Sequence, residues 1–243
     1  MTDSNIKTYK AWDLNTRLFH WINFLCVIVL SILGLIMLNK GALGISGREA
    51  SIGVKALHVT IGYVFITNLI IRLMWGFISE PQSRWSTLLP GKNFKKELAS
   101  YKASIASGKP QTFVGHNPKG RISVLVMVTM LILMTVTGLI RAGTDIYYPP
   151  LGQYFAGQVA AEGVSAADIQ PYDKTGTDPE KLAALGEFKK PIGTIHIYGA
   201  YFLWFLILIH LVAVIRADAG GQGTLISAMF TGKKHLPREP EDL

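Results

Sequence analysis

Four long apolar stretches dominate this chain of 243 residues and limit what it can fold into. A helix that crosses a bilayer needs about 20 consecutive and largely apolar residues. Four windows meet this requirement: residues 18–38, 56–78, 122–140 and 192–215. Only 16% of the residues are charged, whereas soluble domains carry about 25%. The sequence therefore predicts a single all-α domain over residues 1–243, an integral membrane four-helix bundle.

The distribution of basic residues predicts the orientation of these spans. Lysine and arginine gather on the cytoplasmic side of membrane proteins. Residues 1–17, residues 79–121 and the tail from Arg216 together hold fifteen of them, whereas residues 39–55 and 142–190 hold seven. We therefore expect both termini and the 79–121 loop in the cytoplasm, and the 142–190 segment in the periplasm of a bacterial inner membrane. This pattern accounts for the net charge of +8, so we expect contact with membrane lipid and no nucleic-acid partner.

Four of the six histidines fall inside the predicted spans. Ionisable residues within a membrane are costly, and they usually serve a function. With the orientation given above, His20 and His210 lie near the cytoplasmic side, and His58 and His196 lie near the periplasmic side. The remaining two histidines lie in cytoplasmic segments and are not expected to bind a metal. The four intramembrane histidines therefore form two pairs, each at its own depth.

Two opposed imidazoles at each depth indicate haem. A zinc site would recruit further cysteine or carboxylate ligands, and the spans offer only Cys26, on a different face from His20. This is the only cysteine, so covalent attachment through C-x-x-C-H is excluded. Haem iron needs two axial ligands, and two histidines leave no position for O₂, which is typical of electron transfer. We predict two b haems, one held by His20 and His210 and the other by His58 and His196.

Other residues on the same helix faces suit a haem. Arg72 follows His58 by 14 residues, so it shares that face at the depth of the cytoplasmic haem. Arg17 lies at the same membrane surface, and both guanidinium groups are predicted partners of haem propionates. Glycines at three positions on these faces would let a flat macrocycle approach: Gly34, Gly62 and Gly199.

Several strings of residues place the chain near a known group. They are WDLNTRLFHW (12–21), LHVTIGY…IRLMWGF (57–77), GHNPKGR (115–121) and H-x₁₃-H (196–210). With these strings, the chain resembles the bacterial membrane b-type cytochromes. That group includes the cytochrome subunit of NiFe hydrogenases and the gamma subunit of respiratory formate dehydrogenase. The resemblance covers all of the chain except the 142–190 segment, and it implies the same haem pairing and a quinone site beside the cytoplasmic haem.

The resemblance also implies a role for Asn117. In formate dehydrogenase, an asparagine at the start of the third span helps to bind quinone within a Y-N-A-G-Q-K string. Asn117 in H-N-P-K-G-R matches it, although Pro118 and Arg121 differ from that string. The alternative is that Asn117 forms a turn or a cap ahead of the third span.

The sequence favours an electron-transfer subunit of an oxidoreductase over a complete enzyme. We expect it to pass electrons between the membrane quinone pool and a periplasmic partner, with the direction open. The acidic 142–190 segment would suit a basic cytochrome c or a catalytic redox subunit. One alternative is a self-contained membrane oxidoreductase of superoxide- or ferric-reducing type. Another is a metal or proton transporter that uses the histidines as a relay, but the spans contain no aspartate or glutamate to assist it.

Overall fold

The structure is a computed structural model that describes residues 6–243. Most of the described chain is helical. In chain order the α-helices are α1 (Leu14–Leu38), α2 (Arg48–Ile78), α3 (Trp85–Leu88), α4 (Phe94–Ala106), α5 (Pro118–Asp145), α6 (Gly152–Val159), α7 (Pro179–Ala219) and α8 (Leu225–Thr231). Two short strands, β1 (Lys7–Lys10) and β2 (Lys233–Leu236), pair antiparallel. This small sheet departs from the strictly all-α prediction.

Four helices are long and apolar enough to cross a membrane: α1, α2, α5 and α7. They contain the four predicted windows, so the prediction of four spans is confirmed at the level of length and composition. Each helix begins before its window, and α5 and α7 also continue beyond its end. The reason is that polar residues at a helix end continue the backbone hydrogen bonding, although they lie outside an apolar window.

Side-chain caps define where the long helices begin. Asp13 Oδ1 accepts a hydrogen bond from the Thr16 backbone N–H at 2.8 Å, directly before α1. Asp178 Oδ1 accepts from the backbone N–H of Glu180 at 2.9 Å, directly before α7. Such caps satisfy backbone donors that the first helical turn leaves without partners.

The start of α7 differs from the prediction. Pro191 bounded the predicted span, yet it lies inside the helix, which begins at Pro179. Proline removes only one backbone donor, and the residues before it include good helix formers such as Leu182 and Ala183. The last part of the predicted 142–190 loop is therefore helical.

The chain divides into two compact units. The first unit contains Met1–Ile22, Asn68–Thr129 and Leu203–Leu243. The second unit contains Asn23–Thr67 and Met130–Phe202. Each unit takes residues from all four long helices, so each can assemble a site from several helices.

The core of the first unit lies where the two ends of the chain meet. Trp12, Val114 and Leu236 are buried together there. Backbone bonds run from Ala11 and Trp12 to the carbonyl of Gly232 at 2.8 and 3.1 Å. The chain ends therefore hold the residues that precede α1.

The core of the second unit is formed largely by the segment between α5 and α7. Phe155, Val159, Ile169 and Leu185 are buried against one another. This packing gives residues 142–190 an ordered structure, in which α6 is followed by an isolated bridge between Ala160 and Thr177.

Candidate functional site

His58 and His196 face each other in the second unit. Their ring centres are 6.4 Å apart, and the ring planes are inclined by 72°. Metal–imidazole bonds are about 2 Å long, so two ligands of one ion have nitrogens about 4 Å apart with the ring centres farther out. The observed separation therefore leaves room for a single ion between the two rings.

A hydrogen bond determines which nitrogen of His196 is available. Thr137 Oγ1 lies 2.8 Å from His196 Nδ1 and also 2.8 Å from the carbonyl oxygen of Leu133. A threonine hydroxyl has one proton, which goes to the carbonyl, so Nδ1–H of His196 donates to Thr137. This tautomer leaves Nε2 with its lone pair free to bind a metal, and such outer partners are usual for metal-bound histidines.

Glycines clear the space around this pair of histidines. A Cβ atom on Gly138 would lie 3.3 Å from His196 Cε1, and one on Gly34 would lie 3.9 Å from His58 Cε1. A Cβ on Gly62 would meet no atom within 4 Å. Gly34 therefore lies beside His58 and Gly138 beside His196, whereas the space at Gly62 is open.

Gly199 has a different environment. A Cβ on it would lie 3.0 Å from Met130 Cε and 3.1 Å from Met134 Sδ. The side chains of the two methionines occupy the space beside Gly199, so this glycine allows α5 to pack closely against α7.

His20 and His210 belong to the first unit. The two imidazoles are close enough to interact electrostatically. His20 Nδ1 is buried without a hydrogen-bond partner, and the ring meets Trp21 edge-on at 5.2 Å. Two of the four histidines, His20 and His210, therefore lie in the first unit, and the other two, His58 and His196, lie in the second.

Arg72 lies in the first unit with an unsatisfied guanidinium group. The residue is only 5% exposed. Nη2 donates to the carbonyl oxygen of Ser83 at 3.0 Å, whereas Nη1 is buried without a partner. The guanidinium carbon lies 4.8 Å from the centre of the Trp85 ring, and the indole N–H donates to the carbonyl of Leu73. Trp85 therefore holds the cation in place.

Arg17 has a similar environment in the same unit. Its Nη1 donates to the carbonyl oxygen of Phe230, and its Nε is buried without a partner. Burying a cationic donor without an acceptor is unfavourable. Arg17 and Arg72 therefore both offer buried donors to an anionic group.

These observations test whether the residues fit a haem. Among residues 6–243, no group of three or more histidine, cysteine or acidic side chains could hold a metal ion. Two pairs of histidines, glycines that clear the ligand faces and buried guanidinium donors are the features that haem b requires: two axial ligands, space for the macrocycle and partners for the propionates. The residues fit.

The side chain of Asn117 serves the start of α5. Its Oδ1 accepts from the Gly120 backbone N–H at 2.8 Å, and its Nδ2 lies 3.4 Å from Gln222 Oε1. Asn117 is therefore a helix cap, as the alternative interpretation of the sequence proposed.

The neighbouring His116 has a side-chain nitrogen that is free to bind a ligand. Its Nδ1 is buried without a hydrogen-bond partner, and its ring lies 4.6 Å from that of Trp12. Burial, together with the nearby positive charges of Lys234, Arg72 and Arg121, lowers the pKa of His116 to about 3. The imidazole is neutral at pH 7.

The C-terminal tail binds the backbone of residues 114–115, which precede His116. Asp242 accepts from the backbone N–H groups of Val114 and Gly115, both at 2.7 Å. Lys234 Nζ donates to the carbonyl of Gly115 at 2.7 Å. Burial lowers the pKa of Lys234 to about 8, against the opposing effect of Asp242.

Comparison with known proteins decides the family. The model of the prokaryotic cytochrome b561 family matches residues 11–232. The chain belongs to this family. It is also similar along most of its length to proteins named as probable Ni/Fe-hydrogenase B-type cytochrome subunits.

The identity to these relatives is low but extends over nearly the whole of both chains. The protein of Cupriavidus necator is 23% identical over 236 residues, which cover 94% of this chain and 87% of the relative. That of Rhizobium leguminosarum is 24% identical over 244 residues, with 96% and 90% covered. That of Escherichia coli K12, named for hydrogenase 1, is 22% identical over 238 residues, with 94% and 91% covered.

Membership of the family, together with the four membrane helices, establishes the general character of the protein. It is a multi-pass b-type cytochrome of the bacterial inner membrane, which binds haem b and takes part in electron transport. The resemblance noted from the sequence motifs is confirmed.

Sequence reasoning missed the residues that support the ligands. Thr137 and Gly138 contact His196 from another helix, and Trp85 reaches Arg72 from the segment after α2. Spacing along one helix carries no information on contacts between helices. The available signal was weak, because Thr137 is only one of three threonines in that span.

Proposed function

We propose that this cytochrome is the membrane electron-transfer subunit of a two-component oxidoreductase. It holds two b haems, with His20 and His210 as the axial ligands of one and His58 and His196 as those of the other. It connects a catalytic redox subunit at the periplasmic face with the quinone pool of the membrane. The pairing of the four histidines, one pair in each compact unit, is the observation that carries this proposal.

When bound, haem b supplies a reversible one-electron couple. The residues of this chain determine how that couple behaves. Two histidines on each iron exclude small oxygen ligands, and the hydrogen bond from His196 to Thr137 fixes one imidazole in the coordinating tautomer. Arg17 and Arg72 have buried donors without partners, which would bind propionates and so favour retention of the haem.

The orientation supports a periplasmic partner. The segments assigned to the cytoplasm contain more than twice as many basic residues as those assigned to the periplasm. With this orientation, the 142–190 segment, with α6 and the first turns of α7, lies outside the membrane on the periplasmic side, where its six acidic residues other than the buried Asp145 suit a basic surface. Since its relatives are named as subunits of Ni/Fe hydrogenases, we propose a hydrogenase-type catalytic subunit as the partner, with a cytochrome c as the alternative.

The quinone site is proposed beside His210, at the segment that leads into α5. His116 contributes a buried ring nitrogen without a partner, and His210 lies within its electrostatic reach. Asn117 shapes the site mainly by capping α5, and its Nδ2 has a second proton besides the one that faces Gln222. A quinone carbonyl oxygen needs a hydrogen-bond donor, and either side chain offers one.

The purified full-length protein tests the proposal. We expect a reduced-minus-oxidised spectrum of b haem and about two haems per chain, which is the stoichiometry that the two ligand pairs imply. Quinone-linked turnover should appear only when the catalytic partner is added. A colourless protein, or one haem per chain, would exclude the two-haem assignment. Turnover by the isolated chain with superoxide or a ferric chelate would instead identify a self-contained oxidoreductase.

A further inference from the structure

A cluster of four charged side chains lies near the His58–His196 pair. We call it the Asp145 cluster: Lys55, Arg141, Asp145 and Lys189. Asp145 Oδ2 lies 2.8 Å from Lys55 Nζ and 2.5 Å from Arg141 Nη2, and Oδ1 lies 3.2 Å from Lys189 Nζ. One carboxylate thus serves three cations, which leaves two positive charges in excess.

The cluster is shielded from solvent. The side chain of Asp145 is only 7% exposed, and those of its three partners are between 21% and 34% exposed. Cations that are largely removed from water need anionic partners, because their desolvation is otherwise uncompensated. A single aspartate neutralises only one of the three positive charges, so the cluster still needs two negative charges.

Arg141 lies close to His196, and contacts on both α5 and α7 show this. On α5 it follows Gly138, which contacts His196, by three residues. On α7 a Cβ atom on Gly193 would lie 2.6 Å from Arg141 Nη1, and Gly193 precedes His196 by three residues. Glycine at position 193 therefore permits the guanidinium group to lie directly on α7, beside the ligand.

We propose that the Asp145 cluster binds the two propionates of the haem held by His58 and His196, with Arg141 as the main contact. Two propionates carry two negative charges, which match the excess in the cluster, and an arginine donates two parallel hydrogen bonds to a carboxylate. Asp145 is a positioning residue, since it holds the three cations together. This inference rests on the proposed binding of two haems.

The cluster would also set the reduction potential of this haem. Nearby positive charge favours the ferrous state, because reduction removes one positive charge from the iron. Removal of Arg141 therefore lowers the potential, and removal of the Asp145 carboxylate raises it. A purely structural disturbance would not shift the potential in opposite directions.

Redox titration of the purified full-length holoprotein, followed at the haem absorbance, tests this inference. In Arg141→Gln we expect the equilibrium of one haem to shift at least tenfold towards the ferric form, which is about 59 mV for a one-electron couple. Asp145→Asn should shift it towards the ferrous form. Arg141→Lys keeps the charge and should restore part of the potential. Lys190→Gln, an exposed neighbour of the cluster, is the matched control and should leave both potentials unchanged.

Gly193→Ala tests position separately from charge. The added methyl group displaces the flexible end of Arg141, so the potential should move in the same direction as in Arg141→Gln, by a smaller amount. An unchanged potential in both variants would overturn the inference.

Inorganic phosphate distinguishes propionates from a free anion. If propionates occupy the cluster, added phosphate leaves the wild-type potential unchanged. A phosphate-dependent potential that Arg141→Gln abolishes would instead show a free-anion site and overturn the proposal.

Failure of the proposed function gives a different result. A wild-type protein with a single haem component in the titration refutes the two-haem assignment, whatever the effect of Arg141→Gln. Two components that do not respond to Arg141 refute only the propionate site.

Discussion

Each of the two units contains a pair of histidines, but the arrangement of charged side chains differs between the units. In the first unit, Arg17 and Arg72 donate to backbone carbonyls and keep buried nitrogens without partners. In the second unit, three cations share the carboxylate of Asp145. The cations of the second unit are thus paired directly with a carboxylate, whereas Arg72 interacts with Asp13 only at longer range and has no ion pair within 4 Å among the described residues. We expect the first site to respond more strongly to the loss of one cation.

Replacing the proposed histidine ligands should have the largest effect on haem content, and it tests whether the two haem sites are separate. His58→Ala or His196→Ala should remove one haem and about half of the haem absorbance, because each iron loses an axial ligand. His20→Ala or His210→Ala should remove the other haem. The measurement is haem content per chain together with the reduced spectrum. Loss of both haems from every single variant, with normal membrane insertion, would contradict the separation into two pairs.

Arg72→Gln tests the unneutralised cations of the first unit. It removes a buried charge with an unsatisfied donor, so the potential of the haem held by His20 and His210 should fall by more than the shift of about 59 mV, tenfold for one electron, that is expected for the other haem in Arg141→Gln. The other haem should keep its potential. Lys102→Gln, on the exposed side of α4, is the control. Equal shifts in both variants would mean that overall charge, and not the site, determines the potential.

The quinone proposal is tested at both His116 and Asn117, which lie in the first unit. Asn117→Ala removes the cap of α5 and should weaken quinone-site inhibitors several-fold, since a neutral hydrogen bond contributes about 1 kcal/mol. His116→Phe keeps an aromatic ring against Trp12 but removes the ring nitrogens, and it should weaken the same inhibitors. Haem content should be unchanged in both. Inhibition equal to wild type in both variants would place the quinone elsewhere.

The low pKa of His116 predicts a pH dependence of stability that is specific to the first unit. Burial and neighbouring cations hold the pKa at about 3, below the ordinary value of 6.5. Stability is therefore complete above pH 6.5 and is lost as the pH falls towards 3, because protons bind the unfolded chain first. Between pH 7 and pH 5 the loss should reach about 2 kcal/mol. Thermal unfolding at both pH values should show a smaller difference in His116→Phe than in wild type, and an equal difference would argue against this origin.

Thr137→Val should have the smallest effect and concerns the second unit alone. It removes the acceptor of the His196 Nδ1–H bond, so the imidazole becomes a weaker donor to iron and the potential of that haem should rise slightly. Thr135→Val is a matched control, because Thr135 bonds only to the carbonyl of Leu131. A shift in both variants, or in neither, would show that the hydrogen bond does not tune the haem.

The proximity of His58 and His196 was predictable from the sequence because the signals for it are local. A buried imidazole in an apolar span is conspicuous, and the order of the spans assigns each histidine a depth, which was sufficient to pair His58 with His196. The role of Asn117 was harder to predict. The same asparagine suits a helix cap or a ligand, and only the 2.8 Å bond from Gly120 distinguishes them. The helix through Pro191 was missed because proline predicts a boundary, although one lost hydrogen bond does not end a long helix.

The sequence by itself determined the membrane helices, the histidines and the family of this cytochrome, because hydrophobic length and residue type are written along one chain. The tertiary structure decided how charge is arranged around each pair. Lys55, Arg141 and Lys189 are far apart in sequence, and they share Asp145 only because α2, α5 and α7 bring them together. Electrostatic energy depends on distance and burial, and neither quantity can be obtained from the order of residues.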